Sequence, residues 1–488
     1  MHPFRAAPHP SLAPASPFAP WLLASSLLAL VTLPSPARAS AVGDQVIAPF
    51  RSVSPSPVIP QHGVLLQAKD GNFYGLSQNG GSAGLGTAFQ VTPAGALTVL
   101  HSFTGTTDGF DPQWGLVQAK NGDLYGTTDN SAYGSGGLGT IFRLSTTGTY
   151  TTLHQFVAAD GGLPESTLVI GPDGLLYGTT LTYGTNNGGT VFRIAPDGSQ
   201  FAVVTRFDCT VGDAPCNPIA GLSLGADGAF YGIAMAYTDA FHDNGYGAVY
   251  RVTTAGVVTT LHAFTAADAA LNPPSGVPAR DAAGNVYFYG DPRNSTMQPE
   301  IYRLDPAGKL SVAYAFSGLS YVCGFANQPL RIDKDGRIYG VIRCNDGPVP
   351  SGFAFSVTLD GSMHVLHDFV DDGVDVLSPQ IPYVHAKDGA LWSMTGNGTL
   401  SGGGGVYRLD PPAETFTLKP KTITLGQHAK LTWTSTDTTD CTASGAWSGP
   451  QATAGSLAVT PAAAGIYSYT LSCSGAGSAS RTVKLTVQ

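Results

Sequence analysis

The sequence predicts an all-β protein: a seven-bladed β-propeller of four-stranded blades, closed by an N-terminal strand and followed by a small Ig-like β-sandwich. Three observations carry this expectation. A Tyr-Gly element recurs roughly every fifty residues, Asx-Gly pairs punctuate its copies, and the inventory of strand types lacks one member that an orphan strand at the other end supplies. A period near fifty without helical patterning is the signature of blades rather than of stacked helix pairs.

Before the first copy, residues 1–39 read as a secretory signal. Arg5 forms the positive region, Trp21 to Leu33 the apolar run, and Ala37-Arg38-Ala39 the cleavage site. The alternative, a membrane anchor, fits less well because the run is short and stops at Pro34 and Pro36. No later stretch is long and apolar enough to span, so the mature chain is expected to lack a transmembrane segment. Its expected address is outside the cytoplasm: extracellular, periplasmic or cell-surface. Removing Arg5 and Arg38 takes the formal charge from −9 to −11. An acidic chain without basic clusters is a poor partner for nucleic acid, which needs Lys and Arg to neutralise phosphates.

The propeller is expected over residues 44–410. Its repeated tyrosines are Tyr74, Tyr125, Tyr177, Tyr231, Tyr287 and Tyr339, with Trp392 in the last copy, at intervals of 51, 52, 54, 56, 52 and 53 residues. In the second copy, four strands are predicted near 116–119, 123–127, 140–144 and 150–156. Asn121-Gly122 joins the first two, as Asp70-Gly71, Asp173-Gly174, Asp227-Gly228, Asp335-Gly336 and Asp388-Gly389 do elsewhere. Third strands number seven, from Ala88-Phe89 to Val406-Tyr407. Fourth strands ending in Phe number six, at Phe103, Phe156, Phe207, Phe264, Phe316 and Phe369. Gln45-Val46-Ile47-Ala48-Pro49-Phe50 matches the fourth-strand pattern and has no partners of its own, so it is expected to complete the last blade and remove an open sheet edge.

The Gly-Thr-(Val/Ile)-Phe-Arg, Leu-His-x-Phe and Leu-Tyr-Gly-Thr-Thr elements resemble the GloVer tandem-repeat family of secreted and surface-anchored bacterial proteins. About three-quarters of the chain carries the resemblance. The first three copies fit well and the later ones drift: Tyr287-Phe288-Tyr289-Gly290 reads as an insertion, and Trp392-Ser393-Met394 lacks the glycine. The resemblance implies export and a repeat architecture, and no established activity. Some members carry a C-terminal sorting anchor; this sequence ends at Val487-Gln488 without one, which leaves attachment to the cell open.

A linker at 411–413 leads to the module at 414–488. Runs such as Ala429-Lys430-Leu431-Thr432-Trp433 alternate apolar and polar, as half-buried sandwich strands do. The module resembles the Ig-like domains appended to secreted bacterial proteins, and the resemblance implies a spacer or adhesion role. The six cysteines fall into three local pairs, Cys209/Cys216, Cys323/Cys344 and Cys441/Cys473. Disulfides are the expected state after export. Fifteen connectivities are formally open, and the local one is favoured by where each pair lies.

Function is less legible. Second-to-third loops and blade connections are long and share one face, where variable loops on a rigid scaffold concentrate binding. Trp114, Tyr133, Tyr183, Tyr237, Asp239, His242 and Asp243 are the candidate contacts there, interleaved with acids such as Asp108, Asp111, Asp129 and Asp160. Aromatics with acids suit a glycan or a protein ligand; the plainer reading is that the acids cap their own loops. No cofactor is expected. Calcium is the one ion such acids would suit, and no Asp-x-Asp-x-Asp-Gly loop is present. Ser223 sits in a Gly-x-Ser-x-Gly pattern, but on a first strand rather than a nucleophile elbow. His101, His154, His262 and His367 occupy one position in four blades and are too widely separated to share an ion. The leading expectation is an exported, non-enzymatic binding or scaffold protein. The alternatives are a propeller glycosidase or lyase with carboxylates or a metal at the central mouth, and an envelope structural protein.

Overall fold

Every copy of the repeat folds as one antiparallel sheet, because its Asx-Gly turns return each short apolar run against the last. In the second copy the inner strand is Val117–Gln118, followed outward by Leu124–Thr128, Thr140–Leu144 and Tyr150–Gln155. Gly122 has φ 93°, a left-handed value that glycine takes without a steric penalty. The Asx residue of the turn is tied to the tyrosine four residues on. The Tyr74, Tyr177 and Tyr231 hydroxyls donate to Asp70, Asp173 and Asp227 at 2.7, 2.7 and 2.9 Å. Asn121 Nδ2 donates to Tyr125 Oη at 2.8 Å.

The computed structural model describes residues 44–409 and 414–488, apart from 52–55, 59–62, 113, 130–136, 211–214, 236–246, 265–270, 272, 292–297, 318–322, 325–328, 334–335, 345–350, 360, 370–382, 396–401, 436–437 and 476–477. Among the described residues there is no α-helix and one short 3-10 turn, Thr185–Asn187. Six sheets follow one another along the chain: the first five are four-stranded as the second is, and the sixth adds a short strand, Cys323–Gly324, beside Arg337–Cys344. A further sheet has inner strand Val384–His385, then Leu391–Thr395 and Gly402–Leu409, and its outer strand is Asp44–Arg51 from the N-terminus, antiparallel to Gly402–Leu409. The orphan strand lies where the strand count requires it.

One packing device is repeated between neighbours. The phenylalanine at the end of an outer strand sits against the third-strand aromatic of the next sheet: Phe103 on Phe142 at 5.6 Å between ring centroids, Phe156 on Phe192 at 5.0 Å, Phe207 on Tyr250 at 5.1 Å. It continues with Phe264 on Tyr302, Phe316 on Phe355 and Phe369 on Tyr407, and Phe50 of the N-terminal strand meets Phe89 of the first sheet at 5.2 Å. The glycine of Tyr-Gly makes room for these rings. A Cβ on Gly75, Gly126, Gly178 or Gly340 would stand 2.5–2.6 Å from the facing phenylalanine ring. The fifth copy departs from this rule without inserting a residue. Phe288 is in register with Tyr302 as Gly126 is with Phe142, so the sequence reading of an insertion is corrected: Phe288 replaces the glycine and tilts against Tyr302 at 5.5 Å.

The junction of the last sheet with the first repeats the junction of the first with the second. The backbone N–H of Lys69 donates to Gln118 Oε1 at 2.9 Å, and that of Lys387 to Gln67 Oε1 at 2.8 Å. Their Nζ groups donate to equivalent backbone carbonyls. One apolar cluster joins the two sheets across 320 residues of sequence, with Phe73 stacked on Trp392 at 4.1 Å. The ring of sheets therefore closes.

Residues 414–488 form two sheets, of three and five strands, around a core that includes Trp433, Trp447 and the Cys441–Cys473 bond. Cys209–Cys216 and Cys323–Cys344 are also bonded, so the local pairing holds for all six cysteines. No helix among the described residues is long and apolar enough to cross a membrane.

Candidate functional site

The inner strands enclose a central cavity of about 360 Å³. Six sheets contribute, through segments that begin at Val64, Trp114, Thr167, Leu222, Val277 and Pro329. Strand alternation decides what each presents. In every sheet, the inner-strand residue in register with the repeated aromatic is Leu66, Val117, Val169, Ser223, Ala279, Arg331 or Val384. Five of these are aliphatic, one is a hydroxyl, and one is a guanidinium; Leu66, Val169, Ser223, Ala279 and Arg331 line the cavity, whereas Val117 and Val384 are not among its residues.

Arg331 also lines a second hollow of about 220 Å³ with Asp333, Tyr339, Tyr383 and His385, at the seam with the last sheet. It stays open to the cavity, yet the protein around it is dense enough that desolvation pulls its pKa below the ordinary arginine value, with Asp333 opposing. Asp333 is itself paired with His385. The other lining arginine, Arg280, is committed: Nη1 donates to Asp227 at 3.0 Å, Nη2 to the Gly284 carbonyl, and the group covers the Tyr231 ring at 4.4 Å. Among the described residues no carboxylate or imidazole belongs to the lining of the larger cavity.

Of the sequence-predicted contacts, Trp114 is buried and lines this cavity. Tyr183 is 41% exposed on a second-to-third loop and is not among the cavity residues; its ring rests on Gly162, where a Cβ would come within 2.8 Å of it. The structure does not bring these two to one surface as cavity partners. Tyr133, Tyr237, Asp239, His242 and Asp243 lie outside the described residues.

Several loop acids serve their own loops. Asp108 accepts from Thr104 N at 2.9 Å and Thr104 Oγ1 at 2.7 Å, and stands 3.1 Å from His101 Nε2. Asp160 stands 3.1 Å from His154 Nε2. These imidazoles stack on Tyr150 and Phe201 of the following sheets at 4.0 and 3.6 Å. Burial pulls both below their ordinary pKa, against the pull of the adjacent carboxylates. In the first two copies the repeated histidine is thus half of a His–Asp clasp at the outer strand, and the Asp-Gly just downstream, Asp108-Gly109 or Asp160-Gly161, is its other half. Among the described residues no group of three or more metal-ligating side chains is placed to hold an ion.

A third group gathers Glu165, Asp129 and Asp111, from two sheet connections and the end of a second strand. Desolvation, then Asp129 and Asp111, push the Glu165 carboxyl up to about 7.

The repeat model described as the Gloeobacter/Verrucomicrobia repeat matches residues 43–240 and 218–446. The chain belongs to this family. No curated protein matches it. Among solved structures, this Gloeobacter/Verrucomicrobia repeat protein is similar to the extracellular domain described as that of a one-component system from B. thetaiotaomicron, at 12% identity and a TM-score of 0.44, over 90% of this chain and 58% of that one. It spans little more than half the length of that neighbour. An ulvan lyase of polysaccharide lyase family 25 aligns at 12% identity and 0.47, over 75% of this chain and 95% of the lyase. Puromycin hydrolase aligns at 14% and 0.46, over 77% and 58%. Likenesses this distant transfer neither substrate nor residue roles to the Gloeobacter/Verrucomicrobia repeat chain.

Sequence reasoning missed Arg331, although the signal was present: once the seven copies are aligned on their aromatic residue, it is the only charge at its inner-strand position. It also missed Glu165, whose environment is set by loops that no periodicity describes.

Proposed function

We propose that this chain is an exported, non-enzymatic binding protein: a seven-bladed β-propeller over 44–410, freed from a signal peptide at 1–39 and joined through 411–413 to an Ig-like spacer at 414–488. The central cavity, rather than the loop face alone, takes the ligand, a glycan end or a protein segment. One observation carries this reading. A hollow of about 360 Å³, within the roughly 300–1,000 Å³ of small-molecule sites, has an apolar wall, one aromatic and a few separated donors. Ser223 Oγ, the hydroxyl nearest to a nucleophile motif, has no hydrogen-bond partner that would serve as its base. Three disulfides support an oxidising compartment.

The test incubates the mature protein with insoluble polysaccharides and envelope fractions, scoring pelleting and soluble reducing ends in the same tubes. Pelleting without product is the expected result. Release of product would replace this reading with the enzymatic one.

A further inference from the structure

Resting on that reading, we propose that the central cavity takes a carboxylate-bearing saccharide, with its acid group on the Arg331 guanidinium and its hydroxyls on Thr167 and Ser223. The first support is the isolation of the arginine. Arg331 occupies a position that is aliphatic in five of the other six sheets, and no described side chain accepts a hydrogen bond from it. The acid beside it, Asp333, is held by His385. An arginine that opens into an apolar-walled cavity with no fixed side-chain acceptor among the described residues contributes little to the fold itself, and such a residue persists where a ligand supplies the missing acceptor.

The second support is the sign of the other polar groups. Thr167 Oγ1 accepts from Gly115 N at 2.9 Å, which leaves its own proton to donate into the cavity. Ser223 Oγ is buried with no partner. With no carboxylate among the described lining residues, the cavity is a cationic, donor-rich spot inside an acidic protein. A cationic ligand finds no counter-charge there, and a neutral one leaves Arg331 unsatisfied. The planar fork of one guanidinium matches a planar carboxylate. The apolar wall and Trp114 suit the C–H faces of a sugar ring, while the two hydroxyls suit its polar edge.

Calorimetric titration of the full chain with digalacturonate and with its dimethyl ester tests this, because the two probes differ in charge and little else. The acid is expected to bind at least about tenfold more tightly than the ester. Arg331→Gln should remove that difference, and Arg331→Lys should keep part of it. Equal affinities, an acid affinity unchanged in Arg331→Gln, or no binding of either probe by folded protein would overturn the proposal. Competition by inorganic phosphate as strong as by digalacturonate would do so too, since the saccharide would then contribute nothing. Arg331→Leu gives a control on fold: without ligand its Tm should equal or exceed that of the parent, whereas a structural arginine would lower it. The two proposals fail separately. Pelleting on neutral polysaccharide that survives Arg331→Gln removes the anion site and leaves the binding function; product release removes the binding function while a charge preference traced to Arg331 stands.

Discussion

Gly126 leaves no room for a side chain in its copy of the repeat. Its hydrogen occupies the place where a methyl group would stand 2.6 Å from Cζ of Phe142, and that ring is in turn pressed by Phe103 of the preceding sheet. Gly126→Ala is therefore expected to destabilise the chain by about 1–3 kcal/mol through overpacking, seen as a lower denaturant midpoint at unchanged slope. Glu165 makes a prediction of the opposite sign. Its carboxyl ordinarily titrates near 4.5 and is raised to about 7 in the fold. The native state thus holds its proton longer than the unfolded chain does, so this group costs nothing below pH 4.5. Stability then falls as the pH climbs from there to about 7, by on the order of 3 kcal/mol, and is flat beyond. Glu165→Gln should be more stable than the parent at pH 8 and equal to it at pH 4. Thermal melts at the two values check this, and an equal difference at both would remove the coupling to Asp129 and Asp111.

Among the elements, the strand Asp44–Arg51 matters most, because it turns a row of sheets into a ring. Phe50 is fully buried against Phe89, so Phe50→Ala should cost about 3–5 kcal/mol. Removal of residues 40–51 should leave an open strand edge and concentration-dependent association, measurable by light scattering. The place of this strand is legible in the sequence, because the repeat counts seven third strands and only six phenylalanine-ended fourth strands. The Phe288 register is not. Tyr287-Phe288-Tyr289-Gly290 offers two tyrosines to align, and only the pairing of Phe288 with Tyr302 shows that a large residue fills the glycine site. The His–Asp clasp is half legible: the histidines recur at one strand position, whereas Asp108 and Asp160 sit in connections that pattern alone leaves unpaired. In the C-terminal module, the Cys441–Cys473 bond closes a separation of 32 residues. Its loss should cost the module about 3–4 kcal/mol on the loop-entropy estimate, read as a lower melting transition for Cys441→Ala/Cys473→Ala.

For the whole molecule, the architecture follows from local rules applied over and over, which is why the sequence exposes it. Turn glycines, the Tyr–Asx tie and the phenylalanine that reaches into the next sheet all act within one period or between adjacent ones. The cavity does not arise that way. It is where six copies differ from one another at positions in register, and its chemistry depends on one arginine in one copy. Loop length points instead to the outer face, where Asp108, Asp160 and Asp208 turn out to hold their own connections together. The decisive measurement narrows the centre of the ring and leaves its rim intact. Leu224→Trp places an indole in the cavity from a residue that is already 41% exposed. Tyr183→Ala strips the described aromatic from the loop face. With Tm confirming that both variants are folded, the co-sedimentation of the parent should be lost in Leu224→Trp and kept in Tyr183→Ala. Retention by the filled cavity together with loss in Tyr183→Ala would contradict a central site and return the ligand to the loops.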